Sequence, residues 1–353
     1  MEFLSGIAEF FLQALILLAV FLLAVAGLFA LSARKKGSEE GFVEARLLND
    51  RLESYREAVQ GLTEPEPLAK QREKERKKNK KRELKEAKRA LKGSSSEESP
   101  KARPRLFVLD FDGDMQASQV ANLREEISAI LPIADKQDEV LVRLESGGGV
   151  VHGYGLAASQ LVRIKNAGIQ LTVSVDKVAA SGGYMMACVA DRIIAAPFAI
   201  LGSIGVVAQL PNFNRLLKKH DIDIELHTAG EFKRTLTLFG ENTDKGREKF
   251  QSDIEDIHLL FKEFVANNRP QLEIEEVATG EYWFGQRALE KQLADSLSTS
   301  DEYLLGRVDD WDLVEVRYRV KRGWQERLGL AAESAVERGL RKILQSERDS
   351  RFL

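Results

Sequence analysis

The sequence is poor in the groups that most often mark a site. One cysteine, Cys188, stands among 353 residues, so no internal disulfide can form and no paired Cys/His spacing offers a structural zinc site. Histidine is nearly as scarce, with only His152, His220, His227 and His258. Net charge is small, −3 from 52 Lys plus Arg against 55 Asp plus Glu, so no global field selects a nucleic-acid partner. No G-K-[ST] follows a glycine loop, which argues against a nucleotide phosphate loop. Neither a cofactor nor a metal is expected from these residues. Disorder is excluded by 44% hydrophobic content, and the length suits one large or two ordinary domains.

What is present is unevenly distributed. Phe10 to Leu31 is a run of 22 residues in which Gln13 is the only strongly polar one. As a helix it would be roughly 33 Å long, enough for a hydrocarbon core of about 30 Å. A cleaved signal peptide is the competing reading, but Glu2 and Glu9 precede the run without any Lys or Arg, and the run is long for such a peptide. A retained anchor over 1–36, seated in the lipid bilayer through 10–31, is therefore expected. Arg34, Lys35 and Lys36 follow directly, and by the positive-inside tendency they favour a cytoplasmic body.

Residues 37–103 read as a charged helical or flexible connector in which no core is expected. Lys70 to Lys92 holds 13 basic and four acidic residues. That stretch suits either anionic lipid headgroups or plain solvent, and no aromatic residues interleave with it to stack on single-stranded nucleic acid. From residue 104 the texture changes to LFVLDF, VLVRL and LTVSV alternating with longer amphipathic segments. This βαβ rhythm predicts an α/β domain over about 104–325 with sites at the carboxyl ends of its strands. IELH adds an expected strand and Asp244 to Asn268 an expected surface helix. The tail, 326–353, spaces Leu330, Val336, Leu340 and Leu344 as a helix would.

Two strand ends carry unusual chemistry. After VLVRL come Gly147, Gly148 and Gly149, either a tight turn or a place where backbone amides approach an oxyanion. After LTVSV, Ser181 stands among small residues at the expected start of a buried helix. It is either a helix N-cap or a nucleophile whose neighbour Gly182 offers an amide to a carbonyl oxygen. A nucleophilic serine needs a base. Of the histidines only His152 is placed to approach Ser181; the alternative is Lys233, whose neighbours Phe232, Leu236, Leu238 and Phe239 would bury it and favour the neutral amine. A snorkelling surface lysine is the commoner case.

The triple-glycine loop, A-S-G-G-Y-M-M-A, Gly202-Ser203-Ile204-Gly205-Val206 and G-E-F-K-R occur in the order seen in family S49 peptidases, and the chain resembles the membrane-anchored relatives of signal peptide peptidase A. Lys233 lies 52 positions after Ser181 and Ser203 lies 22 after it, both matching the family spacing. The resemblance implies a serine endopeptidase of ClpP/crotonase-like fold acting on peptides or signal-peptide-like polypeptides. Ser181 would attack, Lys233 would act as base, Ser203 would orient Lys233, and Gly182 with Gly148 or Gly149 would form the oxyanion hole. It also implies a homo-oligomer, with Lys233 supplied within or across subunits, in a bacterial inner membrane. The relatives' peptidase domain is placed in the periplasm, opposite to what the flanking charges favour. TGEYWFGQRALEKQLAD matches the family at Gly280, Trp283, Gly285, Ala288 and Asp295 but has Gln292 where glycine is usual. Two rivals stand beside this reading. One is a catalytically silent membrane scaffold of the same fold. The other is a haloacid-dehalogenase-like phosphatase built on Asp110 and Asp112 of VLDFDGDM, whose following Asp114 departs from that motif.

Overall fold

The computed structural model describes residues 41–63, part of 65–85, and 103–320. The expected span at 10–31 and the tail at 326–353 lie outside the described residues. Among the described residues no helix is long and apolar enough to cross a membrane.

Residues 43–318 form one compact unit around a ten-stranded sheet. In chain order the elements are β1 (Phe42–Leu47), α1 (Leu48–Thr63), β2 (Arg105–Gly113), α2 (Val120–Ile130), β3 (Glu139–Ser146) and α3 (Val151–Asn166). There follow β4 (Gln170–Val175), β5 (Val178–Ala180), α4 (Gly182–Ala187), β6 (Arg192–Ala195), β7 (Ile200–Gly202), α5 (Asn214–Lys219) and α6 (Asp244–Asn268). The last are β8 (Tyr282–Phe284), α7 (Gly285–Glu290), β9 (Ser296–Leu297), α8 (Ser300–Leu305) and β10 (Asp312–Arg319).

The main path runs β1-β10-β2-β3-β4-β6-β9, and a second wing, β5-β7-β8, leaves it at β3. The pairings β10-β2-β3-β4-β6-β9 and β3-β5-β7 are parallel, while β8 closes the wing antiparallel to β7. Both faces of the main sheet are covered, which is why the strands read as nearly continuous apolar runs. Along β2, Phe107, Leu109 and Phe111 pack against α2 and α3 through Leu123, Ile127, Tyr154 and Leu161. The alternate residues Leu106 and Val108 meet Tyr303 and Leu304 of α8 on the other face.

The sequence expectation holds for the βαβ units and for the 25-residue α6, which starts where Thr243 accepts a hydrogen bond from the Gly246 amide. It fails at two places. Residues 37–103 do contribute to a core: Leu48 is buried with Leu106 and Leu313, and the Asn49 amide bonds the carbonyls of Val308 and Trp311 and the Leu313 N–H. Charged residues dominate that segment locally, but Leu48, the partly buried Leu52 and Asn49 seat it beside β10. IELH, residues 224–227, is not a strand but exposed irregular chain with no neighbouring strand to pair with.

Candidate active site

The fork in the sheet creates the site. The first residues of β3 pair with β4, but its last, Ser146, pairs with Ala179 of β5. The chain leaving β3 therefore emerges where the two wings diverge, and the Gly147–Gly149 loop lies against the turn that follows β5. Gly148 has φ +87°, and a side-chain carbon placed on it would come within 2.8 Å of Ser181 Cβ and 2.7 Å of the Gly182 nitrogen. Only glycine permits that approach. The Gly148 amide donates to Ser146 Oγ at 3.0 Å and the Val150 amide to the Met115 carbonyl at 2.9 Å. Among the described residues, the N–H groups of Gly149 and Gly182 have no protein acceptor.

Ser181 occupies the N-cap position of α4, with φ 52° and ψ −118°, backbone angles that a side-chain-bearing residue seldom adopts. Its backbone is fixed at both ends, its N–H donating to the Gly202 carbonyl at 2.8 Å and its carbonyl accepting from the Met185 N–H at 3.0 Å. Its hydroxyl makes no capping bond. The serine stands where a cap would, yet its oxygen is unspent, and the residue is partly buried. The six residues of α4 that follow are all buried.

Ser203 is placed by the neighbouring strand. Ala180 of β5 and Gly202 of β7 are register partners, so Ser181 and Ser203 leave adjacent parallel strands side by side, about 5 Å being the strand spacing. Ser203 also has φ 52°, and its N–H donates to the Glu281 carbonyl at 2.6 Å.

Lys233 is not where the apolar run around it predicted. It lies exposed on the irregular segment between α5 and α6, its amine makes no hydrogen bond to a described residue, and it is not bonded to Ser181 or Ser203. The expected apolar wall is open: Phe232 is 45% exposed and Phe239 47%. The Phe232 ring instead carries two other lysines, Lys245 and Lys249, with amines 5.7 and 5.8 Å from its centroid. The segment is clasped onto itself. Asn212 Nδ2 donates to the carbonyls of Thr237 and Gly240, Asn214 Nδ2 to that of Phe239, and the rings of Phe213 and Phe239 stack. The outcome is an arm presenting Val207, Leu216, Ile222, Ile224 and Leu226 to the outside.

No histidine takes the place of Lys233. His152 is exposed with no bond to Ser181, His258 Nε2 sits 3.3 Å from the Ile204 carbonyl, and His227 bonds the nearby Glu225. Cys188 is buried, its thiol pushed up to about 12 by burial, and it donates to the Met185 carbonyl. Two carboxylates of the acidic stretch 110–114 are committed to structure, while Asp112 is exposed. Asp110 pairs with Arg143 and Arg317 at 2.6 Å each, and Asp114 Oδ1 accepts from the amides of Gln116 and Ser118. Among the described residues no group of His, Cys, Asp and Glu could hold a metal ion.

The family profiles and the most similar relatives point to one class. The profile of Peptidase family S49 matches residues 163–308, and that of Peptidase family S49 N-terminal matches residues 2–161. The chain belongs to peptidase family S49 and is a serine peptidase. It is 52% identical over 336 residues to the Probable protease SohB of Haemophilus influenzae, covering 95% of this chain and 94% of that one. It is 57% identical over 241 residues to the Probable protease SohB of Buchnera aphidicola subsp. Acyrthosiphon pisum, covering 68% and 72%. Among solved structures it is similar to a 1510-N membrane-bound stomatin-specific protease mutant bound to a substrate peptide. That match has 13% identity and TM-score 0.39 over 58% of this chain and 80% of that one.

Sequence reasoning missed Ser146 and Tyr154 beneath the glycine loop and Asn212 and Asn214 on the arm. The spacing of Ser146 before three glycines was visible, but nothing local marks a tyrosine inside a helix as its partner.

Proposed function

We propose that the chain is a membrane-anchored endopeptidase of ClpP/crotonase-like fold in which Ser181 is the nucleophile and Lys233, brought by a neighbouring copy, is the general base. The observation that carries this is the backbone of Ser181. A strained φ with an unspent hydroxyl, fixed by Gly202 and Met185 and set against the glycine loop at Gly148, is costly to the fold and has no use as a cap.

The Ser181 oxygen would attack the scissile carbonyl while the Lys233 amine takes its proton. The carbonyl oxygen becomes an oxyanion between the amides of Gly182 and Gly149. Gly148 serves the hole by its shape, since its own amide is already bonded to Ser146. Collapse of the intermediate breaks the C–N bond, and the protonated lysine returns the proton to the leaving amine. Water, deprotonated by the same lysine, then attacks the acyl carbon, and the lysine returns that proton to Ser181 Oγ as the C–O bond breaks and the peptide leaves as its carboxylic acid. Ser203, beside Ser181, is the group available to hold the amine.

The open arm supports assembly as a condition of activity. Exposed apolar residues along 207–239 would be covered by a second copy, and such cover is what disfavours an ammonium and leaves an amine able to accept a proton. The substrates are extended peptides, signal-peptide-like remnants among them, and the anchor at 10–31 would hold the enzyme at a bacterial inner membrane. The test is labelling of detergent-solubilised protein with a peptide phosphonate and mass mapping of the adduct. Modification at Ser181, lost in Ser181→Ala and slowed in Lys233→Ala with assembly intact, is expected; an adduct elsewhere rejects the assignment.

A further inference from the structure

Beneath the two glycine turns lies a polar chain that no step of the hydrolysis uses. The Gly148 N–H donates to Ser146 Oγ at 3.0 Å, Ser146 Oγ and Tyr154 Oη are 2.5 Å apart, and Tyr154 Oη donates to the Asp114 carbonyl at 2.8 Å. The last bond fixes every proton. With the tyrosine hydrogen on a carbonyl, the short contact can only be Ser146 donating to Tyr154, and Ser146 is then free to accept from Gly148. Burial raises the Tyr154 phenol above its ordinary value, which keeps it a donor. Ser146 and Tyr154 are both buried, the tyrosine completely.

The Tyr154 ring packs against Gly182, and the Ser146 hydroxyl holds Gly148 beside Gly149. A carbon added to Gly182 would fall 2.4 Å from the Tyr154 ring, and one added to Gly183 would fall 2.5 Å from the Ser146 carbonyl. The ring is therefore the floor under the Gly182 amide. The serine hydroxyl holds the Gly148 amide, one residue before Gly149, whose own N–H is bonded to no described residue. The buried pair therefore meets Gly182 directly and Gly149 through the residue before it.

We infer that Ser146 and Tyr154 are positioning residues of the reaction, a directed hydrogen-bond chain from Gly148 to Asp114 that holds the Gly149 and Gly182 amides in place for the tetrahedral oxyanion. The inference rests on the Ser181 reading. It assigns the pair no contact with substrate, so its effect falls on the transition state and not on peptide binding.

Tyr154→Phe keeps the ring under Gly182 and opens the chain at one atom. In the assembled, solubilised enzyme, with sites counted by phosphonate labelling at Ser181, kcat per labelled site should fall by about 10- to 100-fold with KM changed less than about twofold. Affinity for a peptide aldehyde, which closes to a hemiacetal in the hole, should fall by a similar factor. Ser146→Ala should do the same, and the double variant should lose no more than the worse single, because both break one chain. A loss seen only in the number of labelled sites or in Tm, with kcat per site unchanged, would mean the pair merely supports the fold and overturns the inference. So would additive losses. Hydrogen exchange on the wild-type protein gives an arm independent of any variant. Gly148 should be protected in the free enzyme, and Gly149 should become protected only in the aldehyde adduct; equal protection of both before inhibitor rejects it. Absence of phosphonate label at Ser181 in the wild type is a separate result, and it rejects the nucleophile instead.

Discussion

Ser181 and Ser203 leave paired strands with the same positive φ, 52°, each one step beyond a register partner, Ala180 or Gly202. Neither is a conformation a serine chooses. At Ser181 the cost is on the order of 1–2 kcal/mol, and no hydrogen bond from its hydroxyl to a described residue offsets it. A stability difference follows that separates catalysis from folding. Ser181→Ala and Ser181→Gly both remove the hydroxyl and should both be inactive, but only glycine relaxes the backbone. Ser181→Gly is expected to melt a few degrees above Ser181→Ala by calorimetry. Equal melting temperatures would show that the turn carries no strain.

Lys233 and Ser181 can be tested for membership of one subunit without a structure of the assembly. Each of Ser181→Ala and Lys233→Ala alone should reduce hydrolysis by at least about a thousandfold. If the amine crosses to a neighbour, co-expression of the two inactive chains places a wild-type lysine next to a wild-type serine at some interfaces. Recovery of a tenth or more of wild-type activity in the mixed assembly is the expected result, read with a fluorogenic peptide. A mixture as inactive as its components would put the dyad within one chain and require the arm to fold back.

The main sheet and the place of Ser181 at the start of a buried helix were legible because each rests on a local signal: apolar strands at βα spacing, and a small-residue turn after a strand. The environment of Lys233 was not, for a physical reason. Four apolar neighbours in sequence imply burial only if something lies opposite them, and within one chain Phe232 and Phe239 meet mostly solvent and other lysines. β1 was missed for the converse reason, since its pairing partner is β10, more than 260 residues later, which leaves no trace in its own composition. The departure at Gln292 has a backbone meaning visible only in three dimensions. It sits at φ 61°, where the usual glycine would be unstrained, while its carbonyl accepts from Arg269.

Glu126 makes stability depend on pH. Its carboxyl is pushed up to about 7, first by burial and further by Asp110, against the opposing effects of the Tyr318 N–H bond and Arg317. Its second oxygen is buried without a partner. Because the folded state holds this proton more tightly than the unfolded one, stability from this group falls as pH rises from about 4.5 to about 7 and is level above that. Glu126→Gln keeps an acceptor for Tyr318 and removes the charge. The variant should match the wild type near pH 5 and exceed it at pH 8 by an amount on the order of 2 kcal/mol, measured by denaturant titration at both values. A constant difference across the range would mean Glu126 is ionised throughout.

Asn49 decides whether the first part of the 37–103 segment, β1 and α1, belongs to the folding unit or merely rests on it. Its amide nitrogen donates to the carbonyls of Val308 at 2.9 Å and Trp311 at 2.8 Å, and its oxygen accepts from the Leu313 N–H at 2.8 Å, so one side chain satisfies three backbone groups at the start of β10. Asn49→Ala leaves those groups to whatever water can reach them, at about 2–3 kcal/mol. Leu48, buried with Leu106 and Leu313, would lose its anchorage at the same time. The expected result is one cooperative transition shifted several degrees lower, with kcat per labelled site unchanged because β2 and β3 stand between β10 and the Ser181 turn. An early separate transition, leaving the main melt in place, would instead show that β1 and α1 dock as an independent unit.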